Sequence, residues 1–205
     1  MKGNAKKVAV FVSIAAIAML IAAPMASASD FWWKFLIRGE YTFTGSGACT
    51  LAPGGFNPDF TPKNPSLAWI GPNFWAGVYT FNYDGTGKMV SHQVYQDGPP
   101  AYAAGAANLS WEFTYEMDGP VITFTFKPGS YSLEYTLGPN TGLKVVPPPG
   151  GKTLAYFTEP WTGRISPDGK TLFVFYGVPM TLVIPDLGGI ELICQGVHQG
   201  FKTHY

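Results

Sequence analysis

From Leu109 to Met117 the chain alternates without a break. Leu109, Trp111, Phe113, Tyr115 and Met117 fall on one parity, and Ser110, Glu112, Thr114 and Glu116 on the other. A period of two is the spacing of a strand with one dry face and one wet face. Asp118-Gly119 supplies a turn in which glycine takes a positive φ, and the run from Val121 to Phe126 follows at once. The stretch predicts a β-hairpin.

The same logic recurs along the chain. Trp75 to Tyr83 and Lys88 to Tyr95 flank the turn Asp84-Gly85-Thr86-Gly87, a second strong hairpin. Further short strands are predicted at Gly39–Phe43, Tyr131–Leu137, Thr153–Thr158, Trp161–Ile165, Thr171–Tyr176, Met180–Ile184 and Ile190–Cys194. Gly39-Glu40-Tyr41-Thr42-Phe43 returns as Gly77-Val78-Tyr79-Thr80-Phe81, and two copies are too few for a repeat architecture. Leu51 to Pro72 has no period and reads as a long structured loop, with Phe56, Phe60, Leu67 and Trp69 packing it onto the body. The run Pro147-Pro148-Pro149-Gly150-Gly151 reads as a stiff loop within the domain. Charged residues are scarce, aromatics plentiful, and beyond residue 37 no amphipathic helix suggests itself. The expectation is an all-β fold: an antiparallel meander of about 8–10 strands closed into a single β-barrel, with a two-sheet β-sandwich as the alternative.

Residues 1–28 read as a signal peptide. Lys2, Lys6 and Lys7 precede the apolar run Val8 to Ile21, and Ala26-Ser27-Ala28 offers small residues at a cleavage point. Residues 29–205 then form one β-barrel domain, exported to the periplasm or the extracellular space. After cleavage, ten basic residues face thirteen acidic ones, a formal charge of −3. No basic patch suggests nucleic acid, and the mature chain has no apolar run long enough for a transmembrane helix. Cys49 and Cys194 are predicted to form a disulfide, since both thiols would meet an oxidising compartment.

Catalytic patterns are absent from the sequence. Glu112 and Glu116 lie about 13 Å apart along a strand, beyond the roughly 5–9.5 Å of a glycosidase pair. His92, His198 and His204 lack zinc spacing; His92 shares the parity of Val90 and Val94 and is expected to face inward. No nucleotide-binding glycine pattern or nucleophile elbow occurs, so neither a metal nor a cofactor is expected. The aromatic strand faces carry what functional signal there is. Tyr79, Phe81, Trp111, Phe113, Tyr115, Tyr135 and Phe173 are the candidate ligand-binding residues, lining a cavity for a small apolar ligand. Two other readings stand beside this one: an interaction or assembly protein with a filled core, and a small outer-membrane barrel. Nothing in the sequence sets an oligomeric state.

The lead-in Phe31 to Ile37, the Gly39-x-Tyr41 on the first strand and the succession of hairpins resemble the lipocalin-like, or calycin, barrels. In that family the lead-in plugs the base of the barrel and packs on a Gly-x-Trp of the first strand. Here Tyr41 takes the place of the tryptophan, and Lys202 is the one candidate for the family's basic residue after the last strand. The resemblance implies a closed barrel with a small apolar ligand in its mouth.

Overall fold

The computed structural model describes residues 31–96, 104–127, 129–139, 141–145, 160–184 and 190–203. The signal segment and the strand expected at Thr153–Thr158 lie outside these residues. Residues 31–37 form a short helix. The strands that follow are β1 (Gly39–Pro53), β2 (Trp69–Phe81), β3 (Thr86–Gln96), β4 (Ala104–Asp118), β5 (Val121–Phe126), β6 (Ser132–Leu137), β7 (Lys144–Val145), β8 (Trp161–Ile165), β9 (Thr171–Ile184) and β10 (Ile190–Lys202). All belong to one antiparallel sheet in the order β3-β2-β1-β10-β9-β8-β5-β4-β6-β7. A further pairing of β3 with β4 returns the order on itself, so hydrogen bonds run round a ring from β1 through β5, β8, β9 and β10 back to β1. The long strand β4 serves two neighbours on one side, β6 along its first half and β5 along its second.

Several strands are much longer than the sequence suggests. β1 and β4 run for 15 residues each, and β2 for 13. Met180–Ile184 merges with Thr171–Tyr176 into β9, and the tail beyond Cys194 continues β10. Glycine and proline inside these segments suggest breaks, but the ladder continues through Gly45, Gly47 and Pro72. The expected disulfide is present, and Cys49 and Cys194 stand directly opposite each other on β1 and β10.

Large rings pack inside because glycines face them. Phe113 stands opposite Gly87, Tyr95 opposite Gly105, His198 opposite Gly45 and Tyr176 opposite Gly196. In each pair a Cβ on the glycine would overlap the facing ring or its hydroxyl. Missing side-chain volume on one strand is thus filled from the next, which is how a wall of rings reaches native density.

The end of the ring beside the short helix, called the base here, is closed by three contacts. Lys202 Nζ donates to Leu36 O at 2.7 Å, Tyr41 Oη donates to Gly169 O at 2.5 Å, and the Lys202 ammonium lies 5.6 Å from the Tyr41 ring centroid. Helix, first strand and last strand are thereby tied at one point.

Three placements correct the sequence reading. On β9 the inward parity is that of Leu172, Val174 and Tyr176, so Phe173 points outward and is 38 % exposed. A strand whose two parities are both apolar gives no sign of which one faces in. His92 is exposed with Val90 and Val94, while His198, which has no clear context in the sequence, is fully buried on β10. In the long loop Phe60 and Leu67 are exposed rather than packed down. Its sides come together in a small bridge, Phe56 with Pro62, and a 3-10 turn at Pro65–Leu67.

Candidate functional site

Inward residues differ in size along the ring. Toward the base they are Tyr41, Phe43, Tyr79, Phe81, Phe113 and Phe124, all buried and in mutual ring contact. Phe43 lies 4.5 Å from Tyr79, Phe81 lies 5.5 Å from Phe113, and Phe113 lies 5.2 Å from Phe124. Above the level of His198 the inner wall of β1, β2, β4 and β10 is made of small residues: Gly47, Gly71, Gly105, Gly196, Ala107 and the disulfide. The space over these glycines is taken by polar tips and rings from neighbouring strands: Tyr176 Oη over Gly47 and Gly196, Asn73 Oδ1 over Gly47 and the Tyr95 ring over Gly105.

Of the sequence-derived site residues, Tyr79, Phe81, Trp111, Phe113 and Tyr115 are gathered in the packed lower half. Tyr135 lies in the upper half, 6.1 Å from Tyr95 by ring centroid. Phe173 is outside altogether. Sequence reasoning missed Asn73, Tyr176 and His198, and left Trp75, an aromatic of the same parity as Tyr79 and Phe81, outside the seven candidates. Alternation in β2 marks the parity of Asn73 and Trp75, but an asparagine on a core face gives no sign of what it meets.

These four side chains converge from three strands. The Trp75 and His198 rings are 5.5 Å apart, Tyr176 and His198 5.1 Å, and Trp75 and Tyr176 6.4 Å. Asn73 Oδ1 and Tyr176 Oη both border the space over Gly47, 3.1 and 2.7 Å from where its Cβ would stand. Asn73 Nδ2 donates to Cys49 Sγ at 3.1 Å, which orients the amide.

Hydrogen bonding differs between the tyrosines of the two halves. Toward the base Tyr41 bonds Gly169 O and Tyr115 Oη donates to Asn82 O at 2.5 Å, although Ser91 Oγ, opposite Gly77, has no partner. In the upper cluster, Asn73 Oδ1, Trp75 Nε1, Tyr176 Oη and His198 Nε2 are buried with no partner. His198 Nδ1 shares a 2.6 Å hydrogen bond with Tyr79 Oη. A neutral imidazole has one N–H and one lone pair, so either tautomer leaves Nε2 with an unmet donor or acceptor. An unpaired buried polar group costs about 1–3 kcal/mol, and several at one place call for a physical reason.

The cluster carries no charge at neutral pH. Burial holds His198 down to about 3 and pushes the phenols of Tyr79 and Tyr176 up. Among the described residues no group of His, Cys, Asp and Glu is placed to hold a metal ion. The carboxylates among the described residues lie on the outside: Glu112 pairs with Lys127 at 2.8 Å and Glu134 with Lys144 at 3.1 Å. Compared with known proteins, the chain matches no family model, no curated protein and no solved structure.

Proposed function

We propose that this chain is an exported, lipocalin-like closed β-barrel that holds a small, mainly apolar and uncharged ligand in its upper half. The observation that carries the reading is the set of partnerless polar tips on Asn73, Trp75, Tyr176 and His198, gathered where the wall residues are small. Rings provide apolar contact area, and a few unmet donors and acceptors orient a guest. A ligand with a hydroxyl or carbonyl meets them, whereas a charged one loses its hydration with no ion to replace it.

Closure of the barrel is supported over a sandwich by the β3–β4 pairing that completes the ring. Lipocalin-like build is supported at the base, where Lys202 reaches across Tyr41 to the carbonyl of Leu36 in the lead-in helix. Export rests on the tripartite pattern of residues 1–28 and agrees with the disulfide. Among the described residues no helix is long and apolar enough to cross a membrane. For the outer-membrane reading, strand length is no objection, but the apolar inner face does not suit a water-filled lumen.

The test is a fluorescence titration of residues 29–205 with an uncharged, environment-sensitive naphthalene dye and a panel of neutral long-chain alcohols. Saturable one-to-one binding with quenching of tryptophan emission is the expected result. Flat titrations across the whole panel would remove the reading.

A further inference from the structure

The outer wall is divided into two unlike faces. On β4, β6 and β8 the outward positions include Glu112, Glu116, Glu134 and Arg164, an ordinary solvated surface. The outer face of β9, β10, β1, β2 and β3 is different. Its lower limit is the row Thr171–Phe201–Thr42–Val78–Val90, and its upper limit is the row Ile193–Thr50–Ile70. Between these rows no outward side chain among the described residues is charged. Across the middle runs Phe175–Val197–Ser46–Phe74–Val94, strand to strand in register. Phe74 is 61 % exposed, Ile70 71 % and Phe201 55 %.

This face has relief as well as composition. β1 presents only small outward residues, Thr42, Thr44, Ser46, Ala48 and Thr50. On either side stand taller ones, Ile70 and Phe74 on β2 and Val197 and Phe201 on β10. The result is a groove over β1 between an apolar ridge on β2 and a mixed one on β10, where Gln195 and Gln199 alternate with Val197 and Phe201. A convex wall alone makes poor contact with another convex wall, but a ridge can enter a groove.

We propose that the chain forms a twofold-symmetric dimer through this face, the β2 ridge of each copy seated in the β1 groove of the other. A twofold contact needs one patch that complements itself, and a ridge beside a groove on an uncharged surface meets that need. The area is of the right order: nine residues on each of β10, β1 and β2 and five on each of β9 and β3, at about 4.8 Å by 3.3 Å per residue, give a footprint of roughly 600 Å² before side-chain relief. That lies at the upper end of the roughly 300–600 Å² of the largest patch on a typical monomer, with Thr, Ser, Gln and His side chains making up part of it, and approaches the ~800 Å² per partner of a standard interface. Gln199 and His92 sit within the face, which fits a protein partner with hydrogen-bonding groups better than lipid tails. A foreign partner with a charged surface would find no ion here to pair with. The chain's own face has the matching lack of charge.

Sedimentation velocity of residues 29–205 from nanomolar to high micromolar concentration tests this. A mass of two chains at micromolar concentration is expected, and Phe74→Lys should weaken the dimer roughly thirtyfold or more, as for a central anchor. Ile70→Lys is the second variant, and circular dichroism checks that both fold. Thr114→Lys, on the charged side, should leave the dimer intact. A monomer at 100 µM, or a dimer indifferent to both Phe74→Lys and Ile70→Lys, overturns the proposal. So does a monomer that co-sediments with neutral phosphatidylcholine vesicles through the same residues, since lipid would then be the cover. Because Phe74 points away from the interior, dye binding inside should survive Phe74→Lys, so failure of the dimer and failure of the ligand reading are separable.

Discussion

Gly87 on β3 faces Phe113 on β4 directly across the ladder, and the Phe113 ring occupies the space where a side chain at 87 would begin. The pair shows how a wall bearing ring after ring becomes solid. Replacing glycine by alanine in a strand is ordinarily neutral or favourable. Here Gly87→Ala must displace a ring that is itself wedged against Phe81 and Phe124. The expected outcome is a loss of about 1–3 kcal/mol, the usual cost of overpacking, measured by urea unfolding. Gly54→Ala is the control: its Cβ meets nothing within 4 Å, so only the positive φ of 86° opposes it. Gly87 itself has no positive φ, so a Gly87→Ala loss no larger than that of Gly54→Ala would mean that the Phe113 ring gives way at little cost.

Stability should also depend on pH through His198. Burial holds the folded imidazole down to about 3, against an ordinary 6.5. Between those values the unfolded chain binds a proton that the folded one refuses, so stability rises with pH across the window and is lost as pH falls from 6.5 toward 3. From pH 6.5 to 5 the loss is about 2 kcal/mol at most. Asp59, Asp84, Asp168 and Glu112 stay ionised there, held low by Thr61, Thr86, Ser166 and Lys127 respectively. Thermal melts between pH 5 and 6.5 should show a slope that His198→Phe flattens, whatever that change does to absolute stability. An unchanged slope in His198→Phe assigns the effect to another group.

Much of the fold can be read in the sequence wherever one parity is apolar and the other polar. That holds for β4, β5 and the β2 flank of the Asp84 turn, and β8 runs from Trp161 to Ile165 as alternation predicts, but on β3 the exposed face is the one with Val90 and Val94. It fails on β9, where Leu172 and Val174 compete with Phe173 and Phe175 for the inside and only sheet curvature decides. It fails for the histidines because parity says which residues share a face, not which face is buried. The candidate site was the least legible part. Rings at one parity suggested a cavity along the whole strand, but whether a ring meets a glycine or another ring depends on register between strands, which the sequence does not state. The lower rings meet glycines and each other and fill their space. The partnerless tips of Asn73, Trp75 and Tyr176 emerge only once β1, β2, β9 and β10 are brought together.

Two turns on the molecule are chemical twins. In Asn57–Thr61 and Asn82–Thr86 an asparagine amide donates to a threonine hydroxyl at 3.0 Å, and an aspartate accepts from that threonine's N–H and O–H. The fourth residue takes a positive φ in both, 83° at Gly85 but 64° at Phe60. A left-handed conformation costs a non-glycine residue about 1–2 kcal/mol. Phe60 is 54 % exposed, so little packing offsets that cost. Phe60→Gly should therefore stabilise the protein by about 0.5–1 kcal/mol, allowing for the greater freedom of glycine when unfolded. A calorimetric melting temperature below that of the wild type would show that the Phe60 ring makes a contact worth more than the strain.

Tyr176→Phe separates a ligand site from a core that merely tolerates unmet groups. The phenol stacks on Trp161 with centroids 4.7 Å apart, and phenylalanine retains that stack. What leaves is an oxygen pressed against the backbone at Gly47 and Gly196 with no partner. Removing a buried, unpaired hydroxyl without changing shape should leave the empty protein as stable as before or more stable by about 1 kcal/mol. If the hydroxyl orients a guest, the same change should weaken dye or alcohol binding by about tenfold, the loss of one hydrogen bond of about 1.4 kcal/mol. Trp75→Phe removes the indole N–H but also volume, so it should weaken binding and lower stability together. The telling result is opposite signs in Tyr176→Phe, with stability held or raised and affinity reduced. Unchanged affinity would place the guest away from this cluster, and lost stability would mean that the hydroxyl is satisfied in the folded protein by something other than a ligand.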